Sequence, residues 1–170
     1  GIPAFTIVGL PDKAVAESKE RVRAAFQAIG ISFPAKRITI NLAPANLLKE
    51  GSHFDLPIAV GILTCMEILP QEELTEYNVL CELGLDNSVM PVNGVLPVAI
   101  KANREDKGLI CPEQQGSEAV WGGLKNIVAT PSLLALINHF KGIQTLPPPV
   151  AKRRKEQISG LDLADIKGQE

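Results

Sequence analysis

At 170 residues with 45% hydrophobic content, the chain is long enough for one well-filled core, and one domain is the expectation on size. Seventeen basic side chains against nineteen acidic ones leave a formal charge of −2, so no whole-molecule field draws it to nucleic acid or to an acidic membrane, and any such contact is local. No apolar run approaches the roughly 18 to 20 residues of a membrane span, and the start lacks the charged-then-apolar pattern of a secretory leader, so a cytoplasmic location is expected.

The chain opens on Gly1, straight into "IPAFTIVGLPD", which reads like a strand entered in mid-sheet and suggests a piece of a longer protein. Phe5 to Val8 has β character and stops at Gly9, with Pro11 and Asp12 as turn and helix-start signals. From Asp12 to Ile29 the apolar residues Val15, Val22, Phe26 and Ile29 recur at helical steps, and Lys13, Glu17, Glu20, Arg21 and Arg23 fill the other positions. That predicts an amphipathic helix closed by Gly30. "RITINLAP" alternates Ile38, Ile40 and Leu42 against Thr39 and Asn41, a strand with one wetter face, ended by Pro44.

Leu56 to Leu69 is apolar nearly all round, which predicts a helix buried on most sides and stopped by Pro70. Tyr77 to Leu85 and Ser88 to Val92 read as a hairpin around Asp86 and Asn87. A helix from Val95 to Arg104, a strand at Gly108 to Cys111, a short helical piece at Ser117 to Trp121, a strand at Asn126 to Ala129 and a helix from Ser132 to Phe140 complete the body. Thr130 and Ser132 flank Pro131, the pattern of a capped helix start. This order predicts an α+β fold, a two-layer α/β sandwich.

Beyond Gly142 the texture changes. "LPPPVAKRRKEQ" joins three prolines to four consecutive cations, so residues 1–146 are expected to form the domain and residues 147–170 a Pro-rich, basic linker. Without the linker the balance is 12 cations to 15 anions, which makes the linker the one positively biased place. Cys65, Cys81 and Cys111 are odd in number, have no C-x-x-C spacing and sit among apolar neighbours, so they read as buried packing thiols.

"KEGSHFDLPIAVGIL" sets Ser52, His53 and Asp55 within four residues. A Ser-His-Asp triad needs the imidazole between the other two groups, and neighbours in an extended segment point to opposite faces. The simpler reading makes Asp55 the cap of the helix that begins at Leu56, with Pro57 tolerated in its first turn.

The blocks "GIPAFTIVGLPDKAVAESKERVRAAF", "KRITINLAPANLLKEGSHFDLPIAVGIL", "ELGLDNSVMPVNGVLPVAIKA" and "DIKGQE" resemble the amino-terminal domain of the YifB/ComM family, AAA+ ATPases related to the magnesium chelatase I subunit. The resemblance covers nearly the whole chain, in order. It implies a ribosomal protein S5 domain 2-like fold, similar to the proteolytic domain of Lon and to the carboxy-terminal domain of RadA. It further implies an ATPase module after "DIKGQE", which would bring ATP and Mg, whereas this segment itself is expected to hold no cofactor. The expected partners are that module, sister subunits in a hexamer, and DNA, since family members are similar to hexameric branch-migration helicases of natural transformation.

Lon-type peptidases pair a serine nucleophile with a lysine base whose pKa is lowered by apolar surroundings. Overlaid on this chain, the serine turn falls on "GSHFDLPIAV" with Asp55 at the serine, and the lysine turn on "PVNGVL" with Leu96 at the lysine. Both functional groups are missing, so no peptidase activity is expected, and a displaced dyad of Ser52 with Lys49 or Lys101 is the rival reading. Metal chemistry has little support: His53 and His139 are far apart in sequence and no ligand spacing matches a closed site. Neither nucleotide-binding glycine motif occurs. The candidate phosphate-contacting cations are Lys152, Arg153, Arg154 and Lys155, with Lys36, Arg37 and Lys49 as a second patch, which leaves a stand-alone DNA-binding module as a further rival.

Overall fold

The computed structural model describes residues 5–8, 12–35, 37–41 and 54–151. The first unit is β1 (Phe5–Val8), α1 (Asp12–Ala28) and β2 (Ile38–Asn41), whose strands pair in parallel with Phe5 opposite Ile38 and Val8 opposite Asn41. Parallel neighbours need a crossover, and α1 supplies it. The buried stripe of α1 holds Ser18, Val22, Ala25 and Phe26, with Val15 and Ile29 packed at its ends. Ile38 is buried and Thr39 exposed, as the alternation in β2 predicts.

α2 (Asp55–Cys65) buries Asp55, Leu56, Ile58, Ala59, Val60, Ile62 and Leu63, and it packs against α1 and β2. The helix ends four residues short of the expected Leu69. Glu67 takes a left-handed φ of 61°, its N–H bonds the Thr64 carbonyl, and the Ile68 N–H folds back to the Leu63 carbonyl. That closure lets Leu69 stay buried outside the helix. A short helix, α3 (Gln71–Leu74), follows Pro70.

The expected Tyr77 to Leu85 strand is split in two. β3 (Tyr77–Val79) pairs in parallel with β6 (Gly108–Pro112), while β4 (Glu82–Leu83) pairs antiparallel with β5 (Val89–Met90) around the Asp86–Asn87 turn. The break falls at Leu80 and Cys81. Leu80 N–H still reaches the Ile110 carbonyl, but the Cys81 carbonyl has turned to accept from Leu56 N–H at the start of α2.

α4 (Val95–Arg104), a 3₁₀ turn (Glu113–Gln115), α5 (Gly116–Trp121), β7 (Ile127–Thr130) and α6 (Leu133–Phe140) complete the order. β3, β6 and β7 form one parallel sheet in sequence order, with α4 and α5 on the connections. All of β6 and β7 is buried, the signature of a parallel sheet covered on both faces. Alternate residues divide accordingly. Leu109, Cys111, Ile127 and Ala129 join Val95, Ala99, Ala102 and Ala119 of α4 and α5. Ile110 and Val128 join side chains of α1, α2 and α6. The fold is therefore mixed α/β, and the expected two layers gain a second helical layer over this sheet.

α6 begins as its sequence predicts. Ser132 Oγ accepts from Ala135 N–H at 3.0 Å, and Thr130 Oγ donates to the Ser132 carbonyl at 2.7 Å. The Cys65 expectation needs correction. Cys81 and Cys111 are buried, but Cys65 is exposed because it closes α2 at the end of that helix's solvent-facing edge.

Candidate functional site

Asp55 is the first residue of α2, and its side chain is 0% exposed. A carboxylate taken fully out of water costs several kcal/mol unless its charge and lone pairs are matched. Here all of it is matched. Oδ1 accepts from Ser18 Oγ at 2.7 Å and from Arg21 Nη2 at 3.0 Å. Oδ2 accepts from Arg21 Nε at 2.6 Å and from the Leu83 N–H at 3.3 Å. The guanidinium thus grips the carboxylate side-on through two parallel bonds, the geometry in which charge-assisted hydrogen bonds are strongest. The hydrogen bonds it donates to Asp55 hold the Arg21 pKa above its ordinary value, against a burial that would lower it.

This corrects the role expected for Asp55. It does not cap α2: the capping position is Phe54, with no side-chain bond to the helix, and the first-turn N–H of Leu56 goes to the Cys81 carbonyl instead. With that donor satisfied by backbone, the carboxylate turns to the cation on α1. Its negative charge still favours the helix N-terminus through the peptide dipoles. Arg21 is likewise not on a purely solvent-facing side of α1. The missed signal was the seven-residue step from Val15 to Val22, which leaves Ser18 on the apolar stripe. A hydroxyl there needs a partner, and Arg21 lies one turn further on.

Leu96, the other overlay position, lies in the first turn of α4 and is 36% exposed. The turn ahead of it is fixed. Gln115 presents its side-chain amide to both backbone groups of Val92, accepting from the N–H at 3.0 Å and donating to the carbonyl at 2.5 Å. Gly94, at a left-handed φ of 91°, then starts the helix. Asp55 is buried between Phe54 and Leu56, both of the first core cluster, whereas Val95, next to Leu96, packs into the second. Lys101 lies on α4 and is paired with Glu105 at 3.7 Å, a surface ion pair one turn apart.

Lys36, Lys49, Ser52, His53 and Lys152, Arg153, Arg154 and Lys155 lie outside the described residues. Arg37 is exposed and borders a cleft of about 360 Å³ shared with Pro34, Thr39, Cys65 and Met66. Among the described residues no cluster of three or more His, Cys, Asp or Glu side chains is arranged to hold a metal ion, and no helix is long and apolar enough to cross a membrane.

The model of a known family, the subunit ChlI of Mg-chelatase, matches residues 1–115. The chain belongs to the ChlI family. Among curated relatives, the competence protein ComM of Haemophilus influenzae is 40% identical over 175 residues, covering 100% of this chain and 34% of ComM. The YifB proteins of Salmonella typhimurium and Escherichia coli are 36% and 35% identical over 170 residues, again the whole of this chain and 34% of each relative. The kinship with ComM and YifB expected from the sequence blocks is thus found, and this ChlI-type chain spans about a third of the length of those relatives. The matched region carries every group in the Asp55 cluster, since Ser18, Arg21, Asp55 and Leu83 all fall within residues 1–115.

Proposed function

We propose that this chain is a non-catalytic accessory domain of a AAA+ ATPase of the ComM/YifB type. In this reading it has a ribosomal protein S5 domain 2-like, Lon-like scaffold. It helps to assemble a hexameric ring, guide substrate or contact DNA in the cytoplasm, while a separate module binds ATP and Mg and drives branch migration. The kinship with ComM supports the parent protein. The observation that carries the non-catalytic part is the closure of Asp55. At the position overlaid on the Lon serine stands a carboxylate with no exposure and both oxygens bonded to Ser18, Arg21 and Leu83. Such a group presents no free nucleophile, and the leucine overlaid on the lysine base takes no proton. DNA contact is assigned to Lys36, Arg37, Lys49, Lys152, Arg153, Arg154 and Lys155, because phosphate contacts need clustered cations more than a fixed motif.

The test uses the full-length protein. Deleting residues 1–146 should abolish or misassemble ATP-driven branch migration while ATP binding persists, and neither casein digestion nor labelling by a serine-directed phosphonate should be detected. ATP-stimulated casein digestion that disappears in Ser52→Ala would establish the peptidase instead.

A further inference from the structure

Residues beyond α6 read in sequence as the approach to a free linker, yet their backbone and side chains are held at successive points. The Ile143 N–H bonds the Asn138 carbonyl at 2.9 Å, the Gln144 N–H reaches the same carbonyl at 3.3 Å, and the Leu146 N–H donates to His139 Nδ1 at 2.8 Å. Within residues 141–150 only Leu146 and Pro149 are partly buried. Leu146 packs against the first core cluster. Pro149 lies over Gly116, the buried first residue of α5: a Cβ added there would come within 2.6 Å of Pro149 Cβ and 3.0 Å of Ala129 Cβ. Real side chains do not approach so closely, so the absence of a Cβ at residue 116 is what lets Pro149 sit against the body.

These anchors define a path. The Phe140 ring meets Tyr77, the first residue of β3, at 5.6 Å, and the Tyr77 hydroxyl donates to Asn126 just ahead of β7. The segment therefore leaves α6 at the end of the sheet where the parallel strands begin. Pro149 lies beside Gly116 and Ala129, at the end where β6 and β7 finish. Six extended residues span about 20 Å, enough for that crossing. Prolines at 147, 148 and 149 stiffen it and remove N–H donors that would otherwise need partners.

We propose that residues 143–149 form a docked strap, latched by His139 and seated on Gly116, which fixes where the chain leaves the domain at the finishing end of the parallel strands. The strap carries whatever follows from a set point on the body rather than on a free tether. The inference does not depend on the ComM-type function proposed above.

The test measures the 170-residue chain directly. Amide exchange at Leu146 should be slow in the wild type and about two- to tenfold faster in His139→Ala, the effect of losing one hydrogen bond. A nitroxide on Ala151→Cys in a Cys65→Ser background should move slowly in the wild type and faster in Gly116→Val. Should Gly116→Val fail to fold, Pro149→Gly empties the same seat without touching α5 and should free the label equally. Exchange of the Leu146 amide at the unstructured rate in the wild type, or a label equally mobile in wild type, Gly116→Val and Pro149→Gly, would overturn the proposal.

Discussion

The Arg21 guanidinium reaches across from α1 to clasp Asp55 at the start of α2, with Nε 2.6 Å from one carboxylate oxygen and Nη2 3.0 Å from the other. Arg21 is 24% exposed and Asp55 not at all, so the two ends of the pair stand in different surroundings. Removing the arginine strands a buried anion, whereas removing the aspartate leaves a cation that can swing toward water. Breaking a buried pair from one side costs about 3 to 5 kcal/mol. Arg21→Met should lie at the upper end of that range and Asp55→Leu at the lower. The double variant Arg21→Met with Asp55→Leu should recover much of the loss, because no unpaired charge remains. Urea midpoints of the four proteins check this, and strictly additive losses would show that the two residues do not act as a pair.

Four helices end in one way. After α1, α2, α4 and α6 the residues Gly30, Glu67, Asp106 and Gly142 take φ between 57° and 77°, and the next residue donates back five positions, as in Ile31 to Phe26 and Lys107 to Ala102. Two of these left-handed positions are glycine and two carry side chains that strain there. Glu67→Gly and Asp106→Gly should each stabilise the domain by about 0.5 to 1 kcal/mol, and Gly30→Ala should destabilise it by about 1 kcal/mol. Thermal or urea unfolding checks the signs, and a loss in Glu67→Gly would mean its side chain contributes more than its backbone strain costs.

Those helix ends mark where the sequence was readable. Gly30 announces the end of α1 because glycine favours a left-handed closure, while Glu67 gives no such signal and the apolar pattern of α2 runs on to Leu69. Single-segment pattern sufficed for β1, α4 and the Ser132 cap, whose determinants lie within a few residues of one another. It failed for the Tyr77 to Leu85 run, where the strand changes partner because Cys81 answers a backbone donor 25 positions earlier, at Leu56. The Asp55 cluster failed for the same reason. Its side-chain partners are 34 and 37 residues away, and only the hydroxyl of Ser18 on an apolar stripe hints at them. The kinship with ComM, by contrast, was legible because it is carried by whole blocks rather than by any one contact.

The tip of the β4–β5 hairpin completes the start of α6. The Asn87 carbonyl accepts from the Leu133 N–H at 2.9 Å, and the Asn87 side-chain oxygen accepts from the Leu134 N–H at 3.2 Å. Together with the Ser132 hydroxyl on Ala135, this satisfies the first three orphan donors of the helix. Asn87 sits at φ 71°, a conformation asparagine tolerates better than most residues. Asn87→Gly keeps the backbone and loses one acceptor, which should cost about 0.5 to 1.5 kcal/mol. Asn87→Val adds strain and should cost about 1 to 2 kcal/mol more, measured by chemical unfolding. Equal stability of the two variants would place the whole effect in the side-chain bond.

The three thiols should separate by reactivity, and the two buried ones should make stability depend on pH. Cys65 is exposed, so a thiol reagent should modify it rapidly in the folded protein, while buried Cys81 and Cys111 should wait for unfolding. Burial raises both interior thiols, Cys111 from 9.0 to about 12 and Cys81 well above 9.0, because a thiolate there has lost its water. In the unfolded chain both ionise near pH 9, so above that pH the unfolded state binds fewer protons than the folded one. Stability is therefore unaffected by these thiols below about pH 8 and falls as pH rises from about 9 toward 12. Replacing Cys111 with Ala removes its share of that slope. Urea midpoints from pH 8 to 11 for the wild type and this variant measure it. A slope unchanged by Cys111→Ala would show that the thiol at residue 111 titrates in the folded protein as freely as in the unfolded chain.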